Sequence, residues 1–336
     1  MIDNLTMSKP HILILAPFSQ KYITDLSSRF DITHSSWLET MKLRDPDEMA
    51  ILINQNDSIA VVIESDFIFE ETLDQVESLK FIGICRSAIN HVDIDAATKH
   101  RITVVNSPAR NARAVAEYVL SVILDIARKT TAANNYVHSG MWNNPIDAYI
   151  EFRGTELKGK TLGLLGIGGI GREIAKLMYK LDMKILAHDP YVQDAPEYVE
   201  LTNIDKLLAS SDFLATVAPL NEETMGFLNA KRLSLMKKGS ALITVSGVSI
   251  VDQTALLKSI DSGHLSGAAI DVFDTHPVAP DSPLLSSDSI ILTPHIGGAT
   301  YETIDRYSRM VAKDLLLFTE NTTPINIVNP EVQNHI

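Results

Sequence analysis

Apolar residues in this chain fall in short, uninterrupted runs. Residues 11–16 (HILILA), 59–63 (IAVVI), 81–85 (FIGIC) and 102–105 (ITVV) have the length and β-branched content of buried strands. Helical spacing fills the intervals around residues 69–79 and 93–99. Strands that alternate with helices at intervals of roughly 20–25 residues imply βαβ units and a parallel sheet. Residues 111–128 then read as one long helix, with Ala114, Val115, Tyr118, Val119, Val122 and Ile123 on a single apolar stripe. Residues 130–154 are polar and aromatic and lack a strand pattern, as expected of a surface excursion or an oligomerisation arm. A second α/β series starts near residue 160. Its expected strands are 161–165, 184–188, 213–217, 241–245, 267–272 and 289–293, with helices over 169–181 and 299–319.

Composition narrows the class. The 336 residues suffice for two domains, and 45% hydrophobic content allows a full core. With 29 Lys+Arg against 42 Asp+Glu, the net charge of −13 argues against nucleic acid, whose phosphates require clustered cations, and against a basic membrane-binding surface. A lone cysteine, Cys85, excludes a disulfide framework and a paired-cysteine zinc site, and no metal is expected. Residues 1–10 lack the apolar core of a signal peptide, and no stretch reaches the roughly 18–20 apolar residues of a membrane helix. The expected setting is cytoplasmic.

One motif points to chemistry. Gly166-Ile167-Gly168-Gly169-Ile170-Gly171 matches G-x-G-x-x-G, follows an expected strand and opens an expected helix. Gly166 permits the tight turn, Gly168 lets backbone approach a pyrophosphate, and Gly171 lets helix and strand pack closely. Asp189, 18 positions past the last glycine, ends the next strand. Its carboxylate suits the hydroxyls of an adenosine ribose and repels a 2′-phosphate, and Pro190-Tyr191-Val192-Gln193 offers no cation to offset it. NAD is therefore expected over NADP.

From about residue 65 to 313 the chain resembles the D-isomer-specific 2-hydroxyacid dehydrogenase family. The pieces run in that family's order: Cys85-Arg86-Ser87-Ala88-Ile89, then Asn106-Ser107-Pro108-Ala109-Arg110-Asn111, the glycine loop, Asp189-Pro190-Tyr191, Ala269-Ile270-Asp271-Val272-Phe273, and Thr293-Pro294-His295-Ile296-Gly297-Gly298-Ala299-Thr300. The resemblance implies an α/β fold of two Rossmann-like or flavodoxin-like domains with mostly parallel sheets. A cofactor domain (108–298) would be inserted in a discontinuous substrate domain (1–107 plus 299–336), with the site in the cleft between them. It also implies hydride transfer between NAD and a small hydroxy or oxo compound, and homodimers formed through the cofactor domain. Carried over by position, Gly169, Ile170, Pro190, Pro219, Val245, Gly247, Asp271, His295, Gly297 and Gly298 would join Gly166, Gly168, Gly171 and Asp189 around the cofactor. Arg86, Ser87, Ala88 and Ile89 would face the substrate.

The family's catalytic set is a histidine, a glutamate that charges it, and an arginine that grips the substrate. His295 occupies the histidine's place, where a titratable imidazole delivers a proton as hydride arrives. The other two are absent. Gly247 stands at the arginine position, and His276 at the glutamate position. No arginine lies between Arg232 and Arg306, so a slipped alignment does not restore it. The exchange to glycine removes a charge and is expected to open volume. Arg86 and Arg110 are candidates to replace the charge; the alternative is that both are structural ion-pairing residues. His276 reads as a substrate contact, a second proton carrier or a tolerated neighbour. Two functions follow: an NAD-dependent oxidoreductase with non-standard substrate recognition, or an NAD(H)-sensing regulatory or scaffolding protein.

Overall fold

A computed structural model describes residues 9–335. Residues 1–8, on which most of the signal-peptide reading falls, and residue 336 lie outside the described part. The chain divides into two compact units, Met1–Arg110 with Thr300–Ile336, and Asn111–Ala299.

The first unit holds five parallel strands: β1 His11–Ile14, β2 Asp31–His34, β3 Ala60–Ile63, β4 Phe81–Ile84 and β5 Thr103–Val105, in the order β2-β1-β3-β4-β5. The two-residue strand period sends Leu13, Val61, Ile63 and Ile82 to one face, against Met49 and Ile53 of helix Pro46–Gln55. It sends Ile12, Ile14, Val62 and Phe81 to the other, against Tyr307, Val311 and Leu315 of helix Tyr301–Thr319. That helix lies close on the sheet: a Cβ at Gly83 would stand 2.6 Å from Val311 Cγ1. Strand β2 has no apolar run because it is an edge strand, exposed or half-buried throughout, and its pattern escaped the sequence reading. Residues 69–79 form a helix only over Glu70–Leu73.

The second unit is a seven-stranded parallel sheet. Its strands are β6 Thr161–Leu165, β7 Lys184–His188, β8 Val199–Leu201, β9 Phe213–Thr216, β10 Ala241–Thr244, β11 Gly267–Ile270 and β12 Ile290–Leu292, in the order β12-β11-β10-β9-β6-β7-β8. The expected stripe of helix Ala112–Arg128 is buried, with Val115, Val119, Val122 and Ile123 packed beside Ile174 and Met178 of helix Gly169–Tyr179. The excursion at 130–154 contains two helices, Thr130–His138 and Pro145–Glu151, with no buried residue in either. The fold is α/β with two parallel sheets. Among the described residues, no helix is long and apolar enough to cross a membrane.

Two histidines of the first unit are buried uncharged. Burial lowers the pKa of His11, and burial together with the nearby Arg86 charge lowers that of His91 to about 4. An unfolded histidine titrates near 6.5, so between about 6.5 and 4 the unfolded chain binds the proton that folded His91 refuses. Stability should therefore fall as pH drops through that window, by up to about 3 kcal/mol from His91. Urea unfolding at pH 7 and pH 4.5 checks this, and His91→Gln should flatten the dependence.

Candidate active site

All strands of the second unit run parallel, so their C-terminal ends, and the loops that follow, share one edge. The glycine turn follows β6. Gly166 has φ +100, and a Cβ there would come 2.8 Å from the Ala218 amide nitrogen, so the turn abuts the loop after β9 that carries Pro219. A Cβ at Gly171 would lie 2.6 Å from Gly166 O. Gly168 and Gly169 are exposed, and nothing stands within 4 Å of where a Gly168 side chain would begin. Gly168 caps helix Gly169–Tyr179 with no side chain on its first amides, leaving those of Gly169, Ile170 and Gly171 to a phosphate. Asp189, half-buried after β7, accepts the Ile167 amide on Oδ2 (3.0 Å) and the Tyr191 amide on Oδ1 (3.0 Å). Each oxygen keeps a lone pair for a ribose hydroxyl. The space over the turn, the uncapped amides and the placed carboxylate fit an NAD dinucleotide.

The histidine loop follows β12 and is organised by Asp271. This carboxylate is 2% exposed. Oδ1 accepts from Thr293 Oγ1 (2.6 Å) and the Ile296 amide (2.9 Å), Oδ2 from the Gly297 amide (2.8 Å), and the Asp271 carbonyl accepts from the His295 amide (2.9 Å). Since the Thr293 proton is committed to Asp271, the Tyr118 hydroxyl donates to Thr293 (2.6 Å). Burial, aided by the Asp271 charge, pushes Tyr118 up to about 12, so it stays a donor at neutral pH. Asp271, expected beside the cofactor, is thus taken up in holding the loop. Gly297 and Gly298 make room for it: a Cβ on Gly297 would lie 2.8 Å from Asp271 Oδ2, and one on Gly298 2.7 Å from Asn111 Nδ2. His295 adopts φ +58, a left-handed conformation uncommon for a residue with a Cβ.

His276 meets His295 on this edge. Nδ1 of His295 and Nε2 of His276 are 3.1 Å apart, one donating to the other, and the rings are tilted with centroids 5.1 Å apart. Gly247 follows β10 and Val245. The expected opening of volume there is not found, because a Cβ on Gly247 would stand 2.5 Å from Leu220 Cδ2: the leucine leans over the glycine. Sequence reading missed Leu220, Thr293 and Tyr118, whose roles arise only when loops from separate strands converge.

In the first unit, Arg86, half-buried, follows β4, and Ser87, Ala88 and Ile89 form the turn after it. The turn is clamped by the segment after β5: Ala109 N donates to Ser87 Oγ (3.1 Å), and Ser107 N to Arg86 O (2.9 Å). Arg110 pairs with Glu64 at 2.9 Å, both largely buried, and its guanidinium lies 5.1 Å over the Tyr307 ring. Burial lowers the Arg86 pKa, Glu64 opposes the shift and the like charge of Arg110 adds to it. Glu64 also went unpredicted; its one signal is a charge directly after the apolar run of β3.

Residues 120–297 match the family model described as D-isomer specific 2-hydroxyacid dehydrogenase, NAD binding domain. The chain belongs to that family. It is 36% identical over 292 residues to a glyoxylate reductase of Thermofilum pendens, covering 85% of this chain and 86% of the relative. It is 30% identical over 328 residues to a glyoxylate reductase of Korarchaeum cryptofilum, covering 96% and 97%. A solved glyoxylate reductase from Paecilomyes thermophila superposes with a TM-score of 0.77 at 25% identity, over 97% of this chain and 99% of that one. As a member of the family, the chain is an NAD-dependent oxidoreductase acting on CH–OH groups.

The choice between NAD and NADP should follow from Asp189. Near it, Tyr191 donates to Glu223 (2.5 Å), adding a second carboxylate, and Arg172 donates to the Asp194 carbonyl (2.5 Å). Titration calorimetry should show NADH bound at least about tenfold more tightly than NADPH, about 1.4 kcal/mol or more. Asp189→Ala should narrow the gap; equal affinities for the wild type would overturn the assignment.

Proposed function

We propose that the protein interconverts a hydroxy acid and its oxo acid with NAD, that His295 carries the proton, and that the substrate is not gripped by a guanidinium at position 247. The supporting observation is the 3.1 Å bond between His295 and His276, on the same sheet edge as the glycine turn. When bound, NAD supplies or accepts the hydride.

The protein's own part is proton handling. With Nδ1 of His295 engaged by His276, proton exchange with substrate is directed to Nε2. In reduction the Nε2–H bond breaks as the hydroxyl O–H bond forms, and the pair keeps its remaining shared proton. A glutamate partner would stabilise the imidazolium by charge. His276 does so only as a hydrogen-bond acceptor, and a second proton would set N–H against N–H and part the rings. Asp271 fixes the loop that presents His295. A paired, positioned histidine favours turnover over the rival reading of an NAD(H)-sensing regulatory protein.

Homodimer formation through the cofactor unit is part of the same reading. Its support is the helical excursion, where Trp142, Ile146, Tyr149 and Ile150 are all more than half exposed. A cytoplasmic setting accords with a single, buried, free cysteine.

His295→Gln should lower turnover on the order of 10²–10⁴-fold and leave NADH binding nearly unchanged. Steady-state kinetics with calorimetry decides it, and retention of most activity would remove His295 from the mechanism.

Pyruvate, glyoxylate and hydroxypyruvate should be poor substrates, since each lacks the bidentate contact that Gly247 is unable to make. Gly247→Arg with His276→Glu should raise their reduction, and each single change should do less. Leu220, 38% exposed, is free to swing aside for the new side chain. Efficient pyruvate reduction by the wild type at neutral pH would contradict this reading.

A further inference from the structure

His295 carries its ring on a left-handed backbone, at φ +58, which side chains disfavour. Such a conformation persists only where the flanking chain is pinned. Asp271 pins it through backbone amides, and one further residue does so with its side chain. Tyr118, half-buried on helix Ala112–Arg128, reaches both flanks of the histidine. Its hydroxyl donates to Thr293 Oγ1 at 2.6 Å, on the N-terminal side of His295. Its ring lies against Gly297 on the C-terminal side, where a Cβ would stand 3.4 Å from Tyr118 Cδ1.

The order of the hydrogen bonds gives the first contact a direction. Thr293 has one hydroxyl proton, committed to Asp271 Oδ1 at 2.6 Å, so its oxygen accepts from Tyr118. A donor on that oxygen polarises the hydroxyl and strengthens its own donation. Asp271 in turn holds the Ile296 and Gly297 amides and, through its carbonyl, the amide of His295. The phenol thus stands at the head of the chain of bonds that shapes the turn. Burial, and less so the Asp271 charge, raises its pKa to about 12, so it donates wherever an imidazole titrates.

The helix gives the phenol a fixed base. Val115, Val119 and Val122, its neighbours on the apolar stripe, are buried in one cluster with Ile174 and Met178. Asn111, about two turns earlier on the same face, presses on the next residue of the loop. A Cβ at Gly298 would lie 2.7 Å from its Nδ2. One helix face therefore backs both glycines that follow His295.

We propose that Tyr118 is a positioning residue, whose hydroxyl and ring together hold the turn so that Nδ1 of His295 meets Nε2 of His276. This rests on the reading of His295 as the proton carrier and names the side chain that aims it. Without the phenol proton, the Thr293 hydroxyl loses a partner, its grip on Asp271 loosens, and His295 relaxes away from His276. Tyr118 belongs to neither the glycine turn nor the Asp189 loop, so NADH binding should not depend on it.

The test removes the hydroxyl alone, with Tyr118→Phe, and observes the histidine pair directly by NMR of the imidazole nitrogens. In the wild type, His276→Ala should move the His295 ring signals, because it deletes the partner of Nδ1. In a Tyr118→Phe background the same exchange should move them by less than about half as much, which is the coupling that such a cycle isolates. A role confined to stability predicts a lower melting temperature with an undiminished response, and that result would overturn the proposal. Kinetics with 2-oxobutyrate and NADH gives a second reading. In Tyr118→Phe, kcat should fall on the order of tenfold while KM and NADH affinity stay nearly unchanged. A diminished NMR response with kcat unaltered upholds the positioning of the ring, and the reading of His295 as proton carrier then fails. If the wild type does not reduce 2-oxobutyrate, the NMR cycle alone decides.

Discussion

Asp271 is the constraint on which the histidine loop depends. A carboxylate buried to this degree is costly unless its lone pairs are filled, and here they are filled by the backbone it organises. Two amides and the Thr293 hydroxyl converge on its oxygens, and its carbonyl takes the amide of His295 itself. The left-handed backbone at His295 persists because hydrogen bonds on both sides of it over-determine the turn. Removing any one donor would leave part of a buried charge unsatisfied, so the loop has little freedom to relax. Tyr118 extends the network to the long helix of the same unit, which ties the position of His295 to the packing of that helix.

On this rigid frame stand the two positions where the resemblance implies an arginine and a glutamate. At position 247 a glycine is covered by Leu220, making that point of the edge apolar rather than cationic. At position 276, where the resemblance implies a carboxylate, an imidazole reaches Nδ1 of His295. The imidazole at 276 keeps a partner on His295 without a fixed negative charge, and the covered glycine at 247 leaves no cation at that point of the edge.

Much of the fold was legible because parallel strands buried on both faces are written as plain apolar runs. That held for β1, β3, β4 and β6, which the pattern located to within a residue or two. Two of the edge strands were not legible: β2 and β8 are half-solvated and their polar residues break the run, whereas the edges β5 and β12 keep a readable apolar run. Helix Pro46–Gln55 went unread although Asp45 and Glu48 form a capping box with Pro46 at the first helical position, local signals that hydrophobic periodicity overlooks. In the site, the glycine turn and Asp189 were legible because their spacing is a covalent fact. The lean of Leu220 onto Gly247 and the reach of Tyr118 to Thr293 were not, since each joins segments remote in sequence whose contact exists only after folding.

The discontinuity of the first unit has a consequence for synthesis. Unit two is continuous from Asn111 to Ala299, so its core is complete as soon as that stretch has left the ribosome. Unit one has by then been waiting for longer, with the face of β1, β3 and β4 that Tyr307, Val311 and Leu315 will cover still bare. The earlier-made unit is therefore the later to finish, and it is the one that presents a sticky surface to chaperones during translation.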